Sequence, residues 1–198
     1  MYNYLSGKLM EKTPTSVIIE VAGIGYDLTI PVSTYASLPA LGEQVKLLTH
    51  FVVREDAQLL YGFATEEERK MFRMLISISG IGPKIANTAL SGILVEDLKA
   101  AIKEGNVAVL TSVSGIGKKT AERIVIELRE KVILEGGKTS GAKSTSPLLS
   151  SEAEDAVQAL IALGYSKNEA QTAVDKAQKS APEKLAVDKL VRNALRHI

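Results

Sequence analysis

Residues 77–86 read Ser-Ile-Ser-Gly-Ile-Gly-Pro-Lys-Ile-Ala, and residues 112–121 read Ser-Val-Ser-Gly-Ile-Gly-Lys-Lys-Thr-Ala. The two stretches are offset by 35 residues and agree at seven of ten positions. Each places Gly-Ile-Gly, then a lysine, where a helical pattern begins. A helix start presents N–H groups with no intrahelical partner and the positive end of the helix dipole, which together stabilise an anion. Glycines just before it allow positive φ and let an anion approach the backbone without a Cβ in the way. Lys84, Lys118 and Lys119 add charge where a phosphate would sit, and Arg123 lies one turn on from Lys119. Contacts of this kind read phosphates rather than bases, so binding is expected to be independent of sequence. The candidate set is Gly80, Ile81, Gly82 and Lys84, then Gly115, Ile116, Gly117, Lys118, Lys119 and Arg123. A plainer alternative is a tight helix–helix connection with Ile81 and Ile116 plugging the core. Two copies with lysines in register favour the phosphate site. A nucleotide P-loop is excluded by spacing, because the leading glycine it requires ahead of Gly117-Lys118 is missing.

The stretches before the repeat read as strands. They are the N-terminal segment, Val17–Val21, Tyr26–Ile30, Gln44–Val53 and Gln58–Phe63, with Gly23-Ile24-Gly25 as a tight turn. Five strands suffice for a small barrel of the oligonucleotide-binding type, with a sandwich as the alternative. Arg54-Glu55-Asp56-Ala57 reads as a hairpin tip. Thr65 with Glu68 forms a capping box that opens a helix reaching about Ser77, burying Phe72, Leu75 and Ile76. Further helices are expected from Pro83 to about Gly92, over Val95–Glu104 stopping at Gly105, in a short piece capped by Asn106, and over Lys118–Leu134. The fold class is thus α+β and multidomain: a barrel over 1–64, an all-α domain over 65–135, a Gly/Ser/Thr/Lys linker over 136–151 and a three-helix end over 152–198. In that end the patterns fall at about 152–163, 167–179 and 183–196.

Charge sharpens this picture. The 24 basic and 23 acidic side chains leave a formal charge of +1 in 198 residues, so any nucleic-acid site arises from local clustering. Residues 1–64 are net −2 and residues 65–135 net +1. There is no cysteine, which excludes disulfides and cysteine-held zinc or iron–sulfur centres and permits a cytosolic location. No apolar run approaches a membrane span, and the N-terminus lacks a signal-peptide layout. The two histidines, His50 and His197, are far apart in sequence, and no catalytic triad, metal spacing or cofactor motif is present. No metal and no cofactor is expected.

Taken together, Arg54-Glu55-Asp56-Ala57-Gln58-Leu59-Leu60-Tyr61-Gly62-Phe63, the two glycine turns, the linker and the small helical end resemble the RuvA family, the Holliday-junction-binding subunits of the bacterial branch-migration machine. The resemblance implies tandem helix-hairpin-helix motifs and a fourfold-symmetric homotetramer, or a face-to-face pair of tetramers, on an open four-way junction. It implies an acidic pin at Glu55 and Asp56, with Arg54 beside it in the DNA-contacting set. Carboxylates at a fourfold centre cost little at an open junction but repel a continuous duplex. The resemblance further implies a final domain that docks the hexameric ATPase RuvB, with RuvC as a further partner on the same junction. It also implies a cytoplasmic role in recombination, DNA repair and the SOS response, without catalysis of its own. Leu160, Leu163, Tyr165, Leu190 and Leu195 form the apolar set from which the motor surface is expected, although core roles are expected for at least two of the first three. The competing readings are a helix-hairpin-helix glycosylase or lyase using Lys84 or Lys119 as an amine nucleophile, and a passive module of a repair nuclease.

Overall fold

A computed structural model describes residues 2–136, 151–179 and 186–197. The described residues form two compact units, one on each side of residues 137–150. Most of the expected linker therefore lies outside the described residues, as do residues 183–185 of the expected last helix.

The first unit begins with five strands: β1 (Tyr4–Lys12), β2 (Ser16–Val21), β3 (Ile24–Thr29), β4 (Gln44–Val53) and β5 (Gln58–Phe63). They close into a barrel in the order β1-β2-β3-β5-β4, so the sandwich alternative falls. The ladders are antiparallel except β3–β5, a short parallel pairing of Leu28 with Leu60 and Thr29 with Tyr61. Along β1, β2 and β4 buried residues alternate with less buried ones, and Leu9, Ile19, Leu28 and Leu47 fill the interior. The β2–β3 turn differs from the expected one. Ala22 and Gly23 form it, at φ 52° and 83°, while Ile24 and Gly25 already belong to β3. Positive φ at both central residues is the hairpin form whose twist matches the flanking strands. The β4–β5 hairpin tip falls where the sequence places it, closed by Arg54 N–H donating to Ala57 O at 2.8 Å.

Between β3 and β4 lies α1 (Val32–Ala36), and after the barrel come α2 (Glu66–Ile76), α3 (Pro83–Gly92), α4 (Val95–Glu104), α5 (Val107–Thr111) and α6 (Lys118–Gly136). The capping box at Thr65 and Glu68 opens α2, Pro83 takes the first position of α3, and Gly105 ends α4 at φ 75°. The Asn106 side chain accepts from Val109 N–H at the start of α5. Barrel and helices share one core. Tyr61 and Phe63 of β5 pack with Phe72, Leu75, Leu90, Leu98 and Ile124, and Phe63 and Phe72 rings lie 4.9 Å apart.

A polar clasp completes the junction between barrel and helices. The Glu68 carboxylate, 5% exposed, accepts from the Ser33 hydroxyl, from Thr34 Oγ1 at 2.9 Å, from Ala64 N–H at 3.0 Å and from Thr65 N–H at 3.3 Å. Around it Asn87 Nδ2 donates to Ile30 O at 3.2 Å, and Arg69 Nη1 donates to Asn3 O at 2.7 Å. A buried carboxylate without an ion-pair partner is tolerated only when donors saturate it, and here four do.

The second unit contains α7 (Ser151–Ala162), α8 (Lys167–Lys179) and α9 (Val187–Ala194) around Ala156, Leu160, Ala173, Val174 and Leu190. The last helix starts at Val187, with Ala186 as its N-cap.

Glu68→Ala removes the acceptor shared by two hydroxyls and two N–H groups where the barrel meets the helices. It should lower the unfolding free energy of the first unit by about 2–4 kcal/mol, read by urea unfolding with circular dichroism; a loss under about 1 kcal/mol would contradict the clasp. A second prediction concerns His50 on β4. Its Nδ1 is buried without a partner, its ring meets Phe72 at 5.4 Å, and burial, then Arg73 and Arg69, hold its pKa below the ordinary 6.5. The unfolded chain therefore binds the proton first as pH falls, so stability drops below about pH 6.5. His50→Gln should flatten the stability difference between pH 7 and pH 5.5, where wild type declines.

Candidate nucleic-acid interface

The two glycine turns occupy equivalent places, one between α2 and α3, the other between α5 and α6. Within each, the two glycines do different work. Gly80 and Gly115 have φ of 95° and 91°, a region L-residues rarely adopt. Gly82 and Gly117 do not have positive φ, and a Cβ built on either meets nothing within 4 Å. The first glycine of each pair is required by the chain's own path. The second is not, and it leaves the backbone open to an approaching group.

Between the glycines, the isoleucines correct one expectation. Ile81 and Ile116 are each 4% exposed and sit in the shared core. Their N–H groups are also used, donating to Ile78 O and Val113 O at 3.0 Å. Neither offers a side chain or an N–H to a ligand; both pin their turns to the core, because an apolar side chain at the apex of a helix–helix turn points inward between the helices.

The cations lie outside. Lys84 in the first turn of α3, and Lys118 and Lys119 at the start of α6, are exposed. Both helices open without an acidic residue in the first turn. Gly82, the N-cap of α3, supplies no side-chain cap, so the first N–H groups there have no intrahelical partner. Arg123 is exposed, but it is not a free cation. Its Nη1 donates to Ser79 O in the first turn at 2.9 Å, and its Nε stands 3.8 Å from Glu127. No local pattern signals this contact, since Ser79 lies 44 positions away.

At the tip of the β4–β5 hairpin, Arg54, Glu55 and Asp56 are all exposed, and none forms an ion pair among the described residues. Tyr61 is raised in pKa by burial, against an opposing influence of Arg54. No group of three or more His, Asp or Glu able to hold a metal occurs among the described residues.

In the second unit the apolar set divides. Leu160 and Leu190 are fully inside its core, which removes them from any docking surface. Tyr165 is partly buried against that core, whereas Leu163 is 63% and Leu195 40% exposed. The inward pair lies on the faces where α7 and α9 meet; Leu163 and Leu195 come just after those helices end. Glu169 caps α8 with Ser166 in a reciprocal pair, and the Ser166 bonds draw its pKa down.

A five-stranded barrel fused by one core to two glycine-turn helical hairpins defines the chain as a tandem helix-hairpin-helix protein of the oligonucleotide-barrel type. Family comparisons agree segment by segment: "RuvA N terminal domain" matches residues 1–62, "SAM-like Helix-hairpin-helix tandem" residues 72–130, and "RuvA, C-terminal domain" residues 151–198. The chain is 49% identical over 196 residues to the Holliday junction branch migration complex subunit RuvA of Methylibium petroleiphilum, covering 99% of this chain and 98% of that one. To the protein of the same name from Prosthecochloris aestuarii it is 46% identical over 202 residues, covering 100% of this chain and 98% of that one. The chain belongs to the RuvA family.

The different work of the two glycines is measurable. Gly80→Ala and Gly115→Ala should each cost about 1–2 kcal/mol, the penalty of a left-handed backbone for an L-residue. Gly82→Ala and Gly117→Ala should change stability by less than about 1 kcal/mol. Thermal unfolding of the four variants checks this, and equal losses at all four positions would refute the division.

Proposed function

We propose that the chain binds four-way DNA junctions by their backbones, holds them open and brings the RuvB ATPase to them for branch migration. The observation that carries the DNA contact is the pair Gly82 and Gly117: glycines with ordinary φ, open space where a Cβ would be, and exposed lysines beside them. In this reading the N–H groups of Gly80, Gly82, Gly115 and Gly117 and of the first helical turns hold phosphate oxygens. Lys84, Lys118, Lys119 and Arg123 supply charge. None of these contacts reads a base, so the protein is indifferent to sequence.

Selectivity for a junction then falls to Glu55 and Asp56. Two exposed carboxylates at a hairpin tip repel phosphate. Repeated around a homotetramer, they fit the open centre of a junction and clash with continuous duplex. The near-zero net charge suits this arrangement, since modest affinity per arm is multiplied when four tethered arms engage together. Arg54 beside the pin reaches phosphate at the strand crossing. The second unit, with Leu163, Leu195 and the exposed edge of Tyr165, docks the motor, and RuvC meets the same junction. The chain supplies no catalysis of its own and acts in the cytoplasm, in recombination and repair.

A gel shift on a four-way junction and on linear duplex of equal length tests the whole. The junction should bind much more tightly, and Glu55→Gln with Asp56→Asn should narrow the gap by raising duplex affinity. Lys118→Ala should weaken binding on every sequence and lower the log–log salt slope by about one per subunit engaged. Gly82→Ala should lower junction affinity by about 1.5–3 kcal/mol, the value of a hydrogen bond to a charged group. Equal affinity for junction and duplex would defeat the proposal.

A further inference from the structure

Two contacts run between the hairpins in opposite directions. Arg123, on the helix that follows the second turn, donates to Ser79 O, immediately before Gly80 in the first turn, at 2.9 Å. Ile85, on the helix that follows the first turn, packs on the second: a methyl built at Gly115 would lie 3.4 Å from Ile85 Cγ1. Each turn is touched by the helix behind the other. Duplication of the motif does not produce this. At the 35-residue offset, Arg123 corresponds to Thr88 and Ile85 to Thr120. The Thr88 hydroxyl donates within its own helix, to Lys84 O at 2.9 Å.

We propose that Arg123 is a positioning residue, which with Ile85 sets the spacing of the two phosphate sites before DNA arrives. This deepens the phosphate-binding reading of the hairpins and rests on it. A guanidinium carries five N–H donors in a rigid planar fork. One is committed to Ser79 O and Nε faces Glu127, which leaves donors on the outer edge for a phosphate. Arg123 thus ties the first turn to the second helix while still facing solvent. The gain from two linked sites depends on their separation matching the two phosphates, and a fixed separation avoids an ordering cost on binding. A lysine keeps the charge but has a single ammonium on a flexible stem, and cannot hold both directions at once.

The test uses the full chain without DNA, then with it. Amide exchange by NMR is followed at Ile81 and Ile116, whose N–H groups are held within the two turns at 3.0 Å. Arg123→Lys should speed exchange at Ile81 about fivefold, the change expected from one net hydrogen bond. Ile85→Ala should speed it at Ile116, and Lys118→Ala should change neither. In gel shifts Arg123→Lys should weaken junction binding about tenfold with an unchanged salt slope, because the charge is retained. Unchanged exchange at Ile81 in Arg123→Lys would overturn the positioning role, as would faster exchange with wild-type affinity. If Lys118→Ala kept full affinity, the phosphate reading itself would fail, whatever the exchange data showed.

Discussion

A buried carboxylate holds the first unit together. Glu68 takes hydrogen bonds from Ser33 and Thr34 of α1 and from the N–H groups of Ala64 and Thr65, where the chain leaves β5 for α2. Apolar packing of Tyr61 and Phe63 on Phe72 brings barrel and helices together, but packing alone is not directional. The hydrogen bonds are. Four donors on one carboxylate fix the angle between the two parts, and Asn87, Arg69 and Ser91 add strands of the same web. The acidic hairpin tip and the glycine turns are therefore borne by one body, and the distance between them is a property of the fold rather than of a linker.

The hairpins show how a short motif divides its labour. The first glycine of each pair turns the chain, the isoleucine anchors the turn from inside, and the second glycine leaves the outside bare. The lysines that follow stand in the first helical turn, where the unpaired N–H groups and the dipole already favour an anion. Charge is added where the backbone has prepared a place for it. On the proposed reading, that economy lets a protein with a formal charge of +1 hold a phosphate.

Much of this was legible in the order of residues. The glycine repeat, the capping box, Pro83 at a helix start and Gly105 at a helix end are local signals, each governed by a few neighbouring dihedral angles, and each lies where the sequence puts it. The strands were legible for the same reason, apart from the β2–β3 turn, where three adjacent small or β-branched residues allow more than one register. Partnerships were not legible. Glu68 reads as a cap and is also the clasp; Arg123 reads as a phosphate ligand and also reaches Ser79. Leu160 and Leu190 belong to an apolar set that reads as either core or partner surface, and both lie in the core, because which side of a short amphipathic helix faces inward depends on its neighbours in space.

The sequence alone determined the elements, their order and the chemistry of the two turns, because those depend on residues within a few positions of one another. The folded chain decided which side chains are spent inside and which remain for a ligand. It also decided that the hairpins touch each other through Arg123 and Ile85, and that the barrel's acidic tip is held in fixed relation to both. These are matters of distance between residues tens of positions apart, and no local pattern encodes them.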